Sequence, residues 1–180
     1  MLKIVTVPAN VLNQPTKPVI KIDDKIKKIV FDMEKILIAQ NDPPGVGLAA
    51  NQVGLDLSIF IIKPTEKAKI KVFINPKIVK TVFNKDSFYQ KKTKKHKKIK
   101  LEGCLSIPRI WGPVKRENRV FLKYQDLTGK DYLSWFSGFE AIIIQHEVDH
   151  LNGIVFTQRA VEQKGQLYRE ENEELVKIEY

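Results

Sequence analysis

Two histidines four residues apart, His146 and His150, stand with Glu147 in the string Gln145-His146-Glu147-Val148-Asp149-His150. On a helix that spacing puts both imidazoles on one face a turn apart, so two nitrogen ligands can share one metal ion. Glu147, beside them, is positioned to reach a water on that ion. This is the pattern of metal-assisted hydrolysis, although a pair of histidines on an amphipathic helix gives the same five residues by chance.

A catalytic centre of this kind needs a third protein ligand and one coordination position left open. A third histidine six residues beyond the pair is ruled out by Phe156, even though Gly153 fits that longer pattern. A glutamate from further along would have to come from Glu162 or from Glu170, Glu171, Glu173 and Glu174 in a short tail that reads as strand, and this alternative stays open. The other source is Cys104, the only cysteine, in Glu102-Gly103-Cys104-Leu105-Ser106. A thiolate there completes a Cys-His-His set, and a lone cysteine leaves no internal disulfide framework.

The elements that must position these residues can be read from periodicity. Asp23 to Asn41 carries Ile26, Ile29, Val30, Met33, Ile36 and Leu37 at helical spacing, with Asp23 or Asp24 as cap. Asn41-Asp42-Pro43-Pro44-Gly45 stops that helix. Runs at 58–62, 71–74, 78–83, 119–124 and 132–136 read as strands of a mainly antiparallel arrangement, with Gln125 to Lys130 as a hairpin turn. Ser137 and Glu140 have capping-box spacing for a second helix from about Gly138 to Leu151, which Asn152-Gly153 stops. The segments 166–169 and 175–180 read as a closing hairpin, with Val176, Ile178 and Tyr180 on its half-buried face.

Composition bounds the rest. The chain has 180 residues, 43% hydrophobic and 29% charged, which predicts one domain over 1–180. The formal charge of +10 comes largely from a lysine-rich stretch near 84–100, read as a solvated insertion or, more sharply, as a contact for ribosomal RNA. The opening residues carry no secretion signal and no apolar run approaches the roughly 18 residues of a membrane span, so a cytoplasmic protein is expected, with no membrane and no obligate protein partner.

Three strings, Gly45-Val46-Gly47-Leu48-Ala49-Ala50-Asn51-Gln52, Glu102 to Ser106 and Gln145 to His150, match in order the G-x-G-x-A-A-x-Q, E-G-C-L-S and Q-H-E-x-D-H signatures of the peptide deformylase family. The resemblance covers nearly the whole chain. It implies an α+β fold, mainly antiparallel strands packed around a central metal-binding helix, and an enzyme that hydrolyses the formyl group from the N-terminal formyl-methionine of nascent proteins, with release of formate. By the same resemblance Cys104, His146 and His150 bind the metal, whose hydroxide attacks the formyl carbon. Glu147 is the general base and then acid, while Gln52 and the Leu105 N–H stabilise the oxyanion. Val46, Gly47, Leu105, Ile142, Ile143 and His146 would receive the substrate, Gly47 by letting an extended peptide approach the backbone. The family's metal is iron(II), with zinc as alternative and nickel or cobalt able to substitute. The implied partners are N-formyl-methionyl nascent peptides and, transiently, the ribosome. Two further readings remain beside it, a zinc endopeptidase and a basic RNA-binding protein with a structural metal. Glu102 and Arg116 are paired as a candidate support for the ligands.

Overall fold

The computed structural model describes residues 2–41, 44–82 and 100–179. The lysine-rich insertion expected near 84–100 therefore lies outside the described residues except at its end, and so do Pro43 and Phe83.

Helix α1 spans Asp24–Ile38, and Asp23 is its cap, with the side chain accepting from the Ile26 N–H at 3.1 Å. Its buried residues Ile26, Val30, Met33 and Leu37 fall on one face, as the 3.6-residue period requires. They pack on Leu48, Ile59, Ile61 and Ile74.

The strands are β1 Gly47–Ala49, β2 Ile59–Ile62, β3 Lys71–Val82, β4 Glu102–Cys104, β5 Ile107–Gly112, β6 Arg119–Gln125, β7 Asp131–Ser137, β8 Tyr168–Glu171 and β9 Glu174–Lys177. They form a five-stranded sheet ordered β1-β2-β3-β6-β7 and a four-stranded sheet ordered β4-β5-β8-β9, with antiparallel pairing throughout. Helix α2, Phe139–Leu151, lies against β1, β2, β3 and β7, and helix α3, Phe156–Glu162, against β4 and β5. Nine of the 13 residues of α2 are buried. A helix enclosed on nearly all sides shows apolar residues all round, which is what Ala141-Ile142-Ile143-Ile144 supplies. The α+β architecture around the histidine-bearing helix is as expected.

Four local expectations are corrected. The run at 71–74 and the described part of the next, 78–82, belong to one strand, β3: Asn75 takes a left-handed φ of 51° and the register shifts there, so Asn75-Pro76 bulges the strand without ending it. The capping box at α2 does not form. Ser137 is still paired in β7 with Arg119, Gly138 is the N-cap at φ 62°, and Glu140 turns to Lys71 instead. The tail hairpin exists, but β9 is exposed along its length, and Ile178 reaches the interior only after the strand has ended. Lastly, α3 stands where no element was expected. Its seven residues bury just Phe156 and Ala160, too few positions to reveal a period.

The larger sheet and α2 close over an aromatic centre. Phe73 stacks on Phe60 at 4.6 Å between ring centroids and meets Tyr124 at 4.7 Å and the edge of Phe136 at 5.6 Å. Phe73→Ala is expected to cost about 3–5 kcal/mol in urea unfolding, whereas Phe31→Ala, at a site 55% exposed, should stay within about 0.5 kcal/mol.

Candidate metal centre and its cavity

Cys104 and the two histidines come from different elements. Strands β4 and β5 form a tight hairpin in which Cys104 pairs with Ile107, so Leu105-Ser106 is its two-residue turn and Cys104 sits on the shoulder. The buried turn is tied down on two sides: the Val7 N–H donates to the Ser106 carbonyl at 3.1 Å, and the Gln52 Nε2 donates to Ser106 Oγ at 3.3 Å. The hairpin faces α2, where the rings of His146 and His150 lie 4.9 Å apart.

The ligand atoms of Cys104, His146 and His150 all lie within 4.8 Å of one another, and Cys104 Sγ is 3.1 Å from His150 Nε2. His146 Nδ1 donates to Glu102 Oε2 at 3.0 Å, which turns its Nε2 lone pair away from the carboxylate. Burial alone would push the Cys104 thiol up, but His150 and His146 outweigh it and hold the thiol well below its ordinary range. A cysteine sulfur beside two imidazoles is a donor set that fits a divalent transition metal in a four-coordinate site with one position open. Among the described residues no tail glutamate joins this cluster: Glu162 pairs with Arg159, and Glu170 accepts from the Trp111 indole at 2.7 Å.

Glu147 is 3% exposed and its Oε2 has no hydrogen-bond partner among the described residues. Burial pushes its carboxyl up to about 7, with His146 and His150 only partly offsetting the shift. The carboxylate is held close by Gly47, since a Cβ added there would overlap Glu147 Oε1 and lie 2.8 Å from Ile143 Cγ2. In this structure the missing side chain of Gly47 is therefore space for Glu147. Gln52, 2% exposed, accepts from the Ala49 N–H at 2.8 Å through Oε1 and points Nε2 at Cys104 Sγ, 3.3 Å away.

These groups open onto a cavity of about 290 Å³. Val46, Gly47, Gln52, Cys104, Leu105, Ile142, Ile143, His146 and Glu147 line it, so of the expected catalytic, substrate and metal residues all but His150, which is fully buried, reach the cavity. Leu101, Trp111 and Phe139 add apolar wall that sequence reasoning missed. Trp111 could not be found by spacing, because its ring reaches the site only by lying over Gly103, where a Cβ would be 2.8 Å from it.

Beneath the ligands lies a buried ionic network. Arg116 grips Glu102 with two bonds, Nε to Oε1 and Nη2 to Oε2, both 2.9 Å, and donates through Nη1 to Asp149 Oδ2 at 2.5 Å. Arg159 reaches Asp149 Oδ1 at 2.8 Å. The loop carrying Arg116 is fixed by Gln145, which accepts from the Glu117 N–H at 2.9 Å and donates to the Glu117 carbonyl at 2.8 Å. The paired contact of Glu102 and Arg116 is as anticipated; Asp149 and Arg159 were missed, although Asp149 stood inside the motif. Burial would push the Glu102 carboxyl up, but His146 and Arg116 hold it down at about 2 against an ordinary 4.5. A depressed carboxylate contributes stability that is whole above 4.5 and lost as pH falls towards 2. Arg116→Met leaves buried Glu102 with His146 alone and Asp149 with Arg159 alone, and is expected to lose about 3–5 kcal/mol of stability at neutral pH and roughly 10- to 100-fold in metal affinity. Chemical denaturation and competitive chelation check both, and an unchanged metal content and stability would count against the network.

A family model described as Polypeptide deformylase matches residues 1–166. The peptide deformylase of Borreliella burgdorferi is 38% identical over 155 residues, covering 86% of this chain and 85% of the relative. Among solved structures, the Synechococcus elongatus peptide deformylase in complex with actinonin has a TM-score of 0.75 at 33% identity, covering 88% of this chain and 78% of that one. The Thermotoga maritima peptide deformylase gives 0.73 at 31% identity, covering 88% and 97%.

Proposed function

This chain belongs to the peptide deformylase family, metal-dependent hydrolases that remove the formyl group from protein N-termini, and from that premise we propose which of its residues carry the reaction. The observation that supports the assignment most is the meeting of Cys104, His146 and His150 at one wall of an apolar cavity with the unpartnered Glu147 carboxylate beside them.

Cys104 Sγ, His146 Nε2 and His150 Nε2 hold the ion. Bound there, a divalent ion supplies Lewis acidity, polarising a carbonyl and lowering the pKa of a water towards about 7. Glu147 takes the proton of the attacking water on its carboxylate and returns it to the amine nitrogen as the formamide C–N bond breaks, leaving formate and a free N-terminus. Burial of Glu147 suits both halves of that task, since a carboxyl raised to about 7 is basic enough to take the proton and acidic enough to give it up near neutral pH. Gln52 Nε2 and the Leu105 N–H donate to the formyl oxygen as it gains charge; losing one such donor typically costs about 100- to 1,000-fold in rate.

The methionine side chain of a formyl-methionyl peptide enters between Val46, Leu105, Ile142 and Ile143, with His146 at its base, and Gly47 lends its backbone to the peptide. The working metal is iron(II), with zinc as the alternative and nickel or cobalt as substitutes. The enzyme acts in the cytoplasm on nascent chains and meets the ribosome transiently, without an obligate partner; no helix among the described residues is long and apolar enough to cross a membrane.

Glu147→Ala is expected to abolish formate release from formyl-Met-Ala-Ser while leaving bound metal and folding intact; a mutant that keeps parental turnover would remove Glu147 from the proton path. The anaerobically prepared iron form should lose activity in air and the nickel and cobalt forms should not. Equal survival of all three would argue against iron as the working ion.

A further inference from the structure

The outward face of β3, β6 and β7 gathers exposed cations around aromatic rings. Register places Lys80, Phe121 and Trp135 in one row and Lys77, Lys123 and Leu133 in the next. Arg119 adds a guanidinium 4.7 Å above the Trp135 ring. Phe121 and Trp135 are stacked at 4.9 Å and 26°, and the tryptophan keeps 39% of its surface exposed, beside Leu133 and Val79 at 55% each. The alternate residues Val120, Leu122 and Phe136 point into the core, so the face is a built sheet surface with a firm backing.

Lys77, Lys80, Lys123 and Arg119 are exposed, and none makes an ion pair among the described residues. The acidic member of these strands' outward rows is Asp131, at the far end opposite Gln125. Surface lysines on a sheet ordinarily find carboxylates across the strand or guard an edge. Here cations instead surround an aromatic pair over a row roughly 10 Å wide, two strand spacings.

We propose that this face binds single-stranded RNA, with bases stacking at Trp135 and Phe121 and phosphates on Lys77, Lys80, Lys123 and Arg119. Aromatic platforms bordered by cations on a sheet are the general solution for unpaired nucleic acid, since every base offers a π-face and every linkage a charge. An acidic protein would match the charge but gives no reason for the exposed stacked rings. The inference deepens the proposed ribosome encounter by naming RNA as the chemistry contacted. Its test uses free oligonucleotides, so failure leaves the deformylase assignment standing.

The experiment is titration of a fluorescein-labelled decauridine RNA with the metal-loaded full chain, followed by fluorescence anisotropy and repeated over a salt series. A rise in anisotropy is expected, with a log affinity that falls linearly with log salt. K77E/K80E/K123E should weaken binding at least tenfold and reduce the magnitude of that slope by about 2, at roughly 0.7 for each phosphate of a single strand that is no longer neutralised. W135A should weaken binding about five- to tenfold with the slope unchanged. Formate release from formyl-Met-Ala-Ser should stay parental in both variants, which reports an intact fold. The proposal is overturned if the parent does not bind. It is equally overturned if a duplex of the same length binds as well, or if the sheet variants bind like the parent while replacement of the lysines at 91–98 by serine abolishes binding.

Discussion

One buried guanidinium holds the centre together. Arg116 binds Glu102, two residues before Cys104 on β4, and Asp149, one residue before His150 on α2. Glu102 in turn fixes the His146 ring. The thiol and both imidazoles thus take their relative positions from a single cation. Such a pair carries a large desolvation cost, and it is stable only because nearly every polar atom in it is satisfied, bidentate at Glu102 and shared with Arg159 at Asp149. A looser contact would leave the two elements free to drift by the fraction of an ångström that decides whether three ligands meet.

The same burial shapes the chemistry. Removing water from around Glu147 raises its proton affinity into the range useful for passing a proton at neutral pH, and the removal is accomplished by Gly47, whose absent side chain lets β1 close over the carboxylate. Cys104 experiences the opposite balance, because two imidazoles outweigh its desolvation. Two buried groups a few ångströms apart are thereby tuned in opposite directions by what they touch.

The candidate metal cluster was legible in the sequence because its residues stand in contiguous strings: His146, Glu147 and His150 on one helical face, Cys104 on a glycine-preceded turn, Gln52 after a close-packed Gly-x-Gly. Helix α1 was legible through its one-sided period, and β6 and β7 as strand-forming runs on either side of the Gln125 to Lys130 turn. What could not be read was decided by partners distant in the chain. Asp149 acquires a role only when Arg116 and Arg159 arrive from the loop after β5 and from α3. Ser137 looked like a cap, yet its pairing with Arg119 kept it in the strand and left Gly138 to make the corner at positive φ. Asn75-Pro76 looked like a strand end, but Asn75 stays in β3 by bonding across to Val19 at 2.8 Å through its amide oxygen and nitrogen.

Whether Cys104 joins His146 and His150 around one ion is read most directly from the absorption spectrum of the cobalt(II)-loaded protein. The structure calls for one equivalent of cobalt, intense ligand-field bands of a four-coordinate ion, and a thiolate-to-cobalt charge-transfer band that Cys104→Ser removes. A weak octahedral spectrum without charge transfer, unchanged by Cys104→Ser, would place the ion elsewhere and contradict the proposed centre.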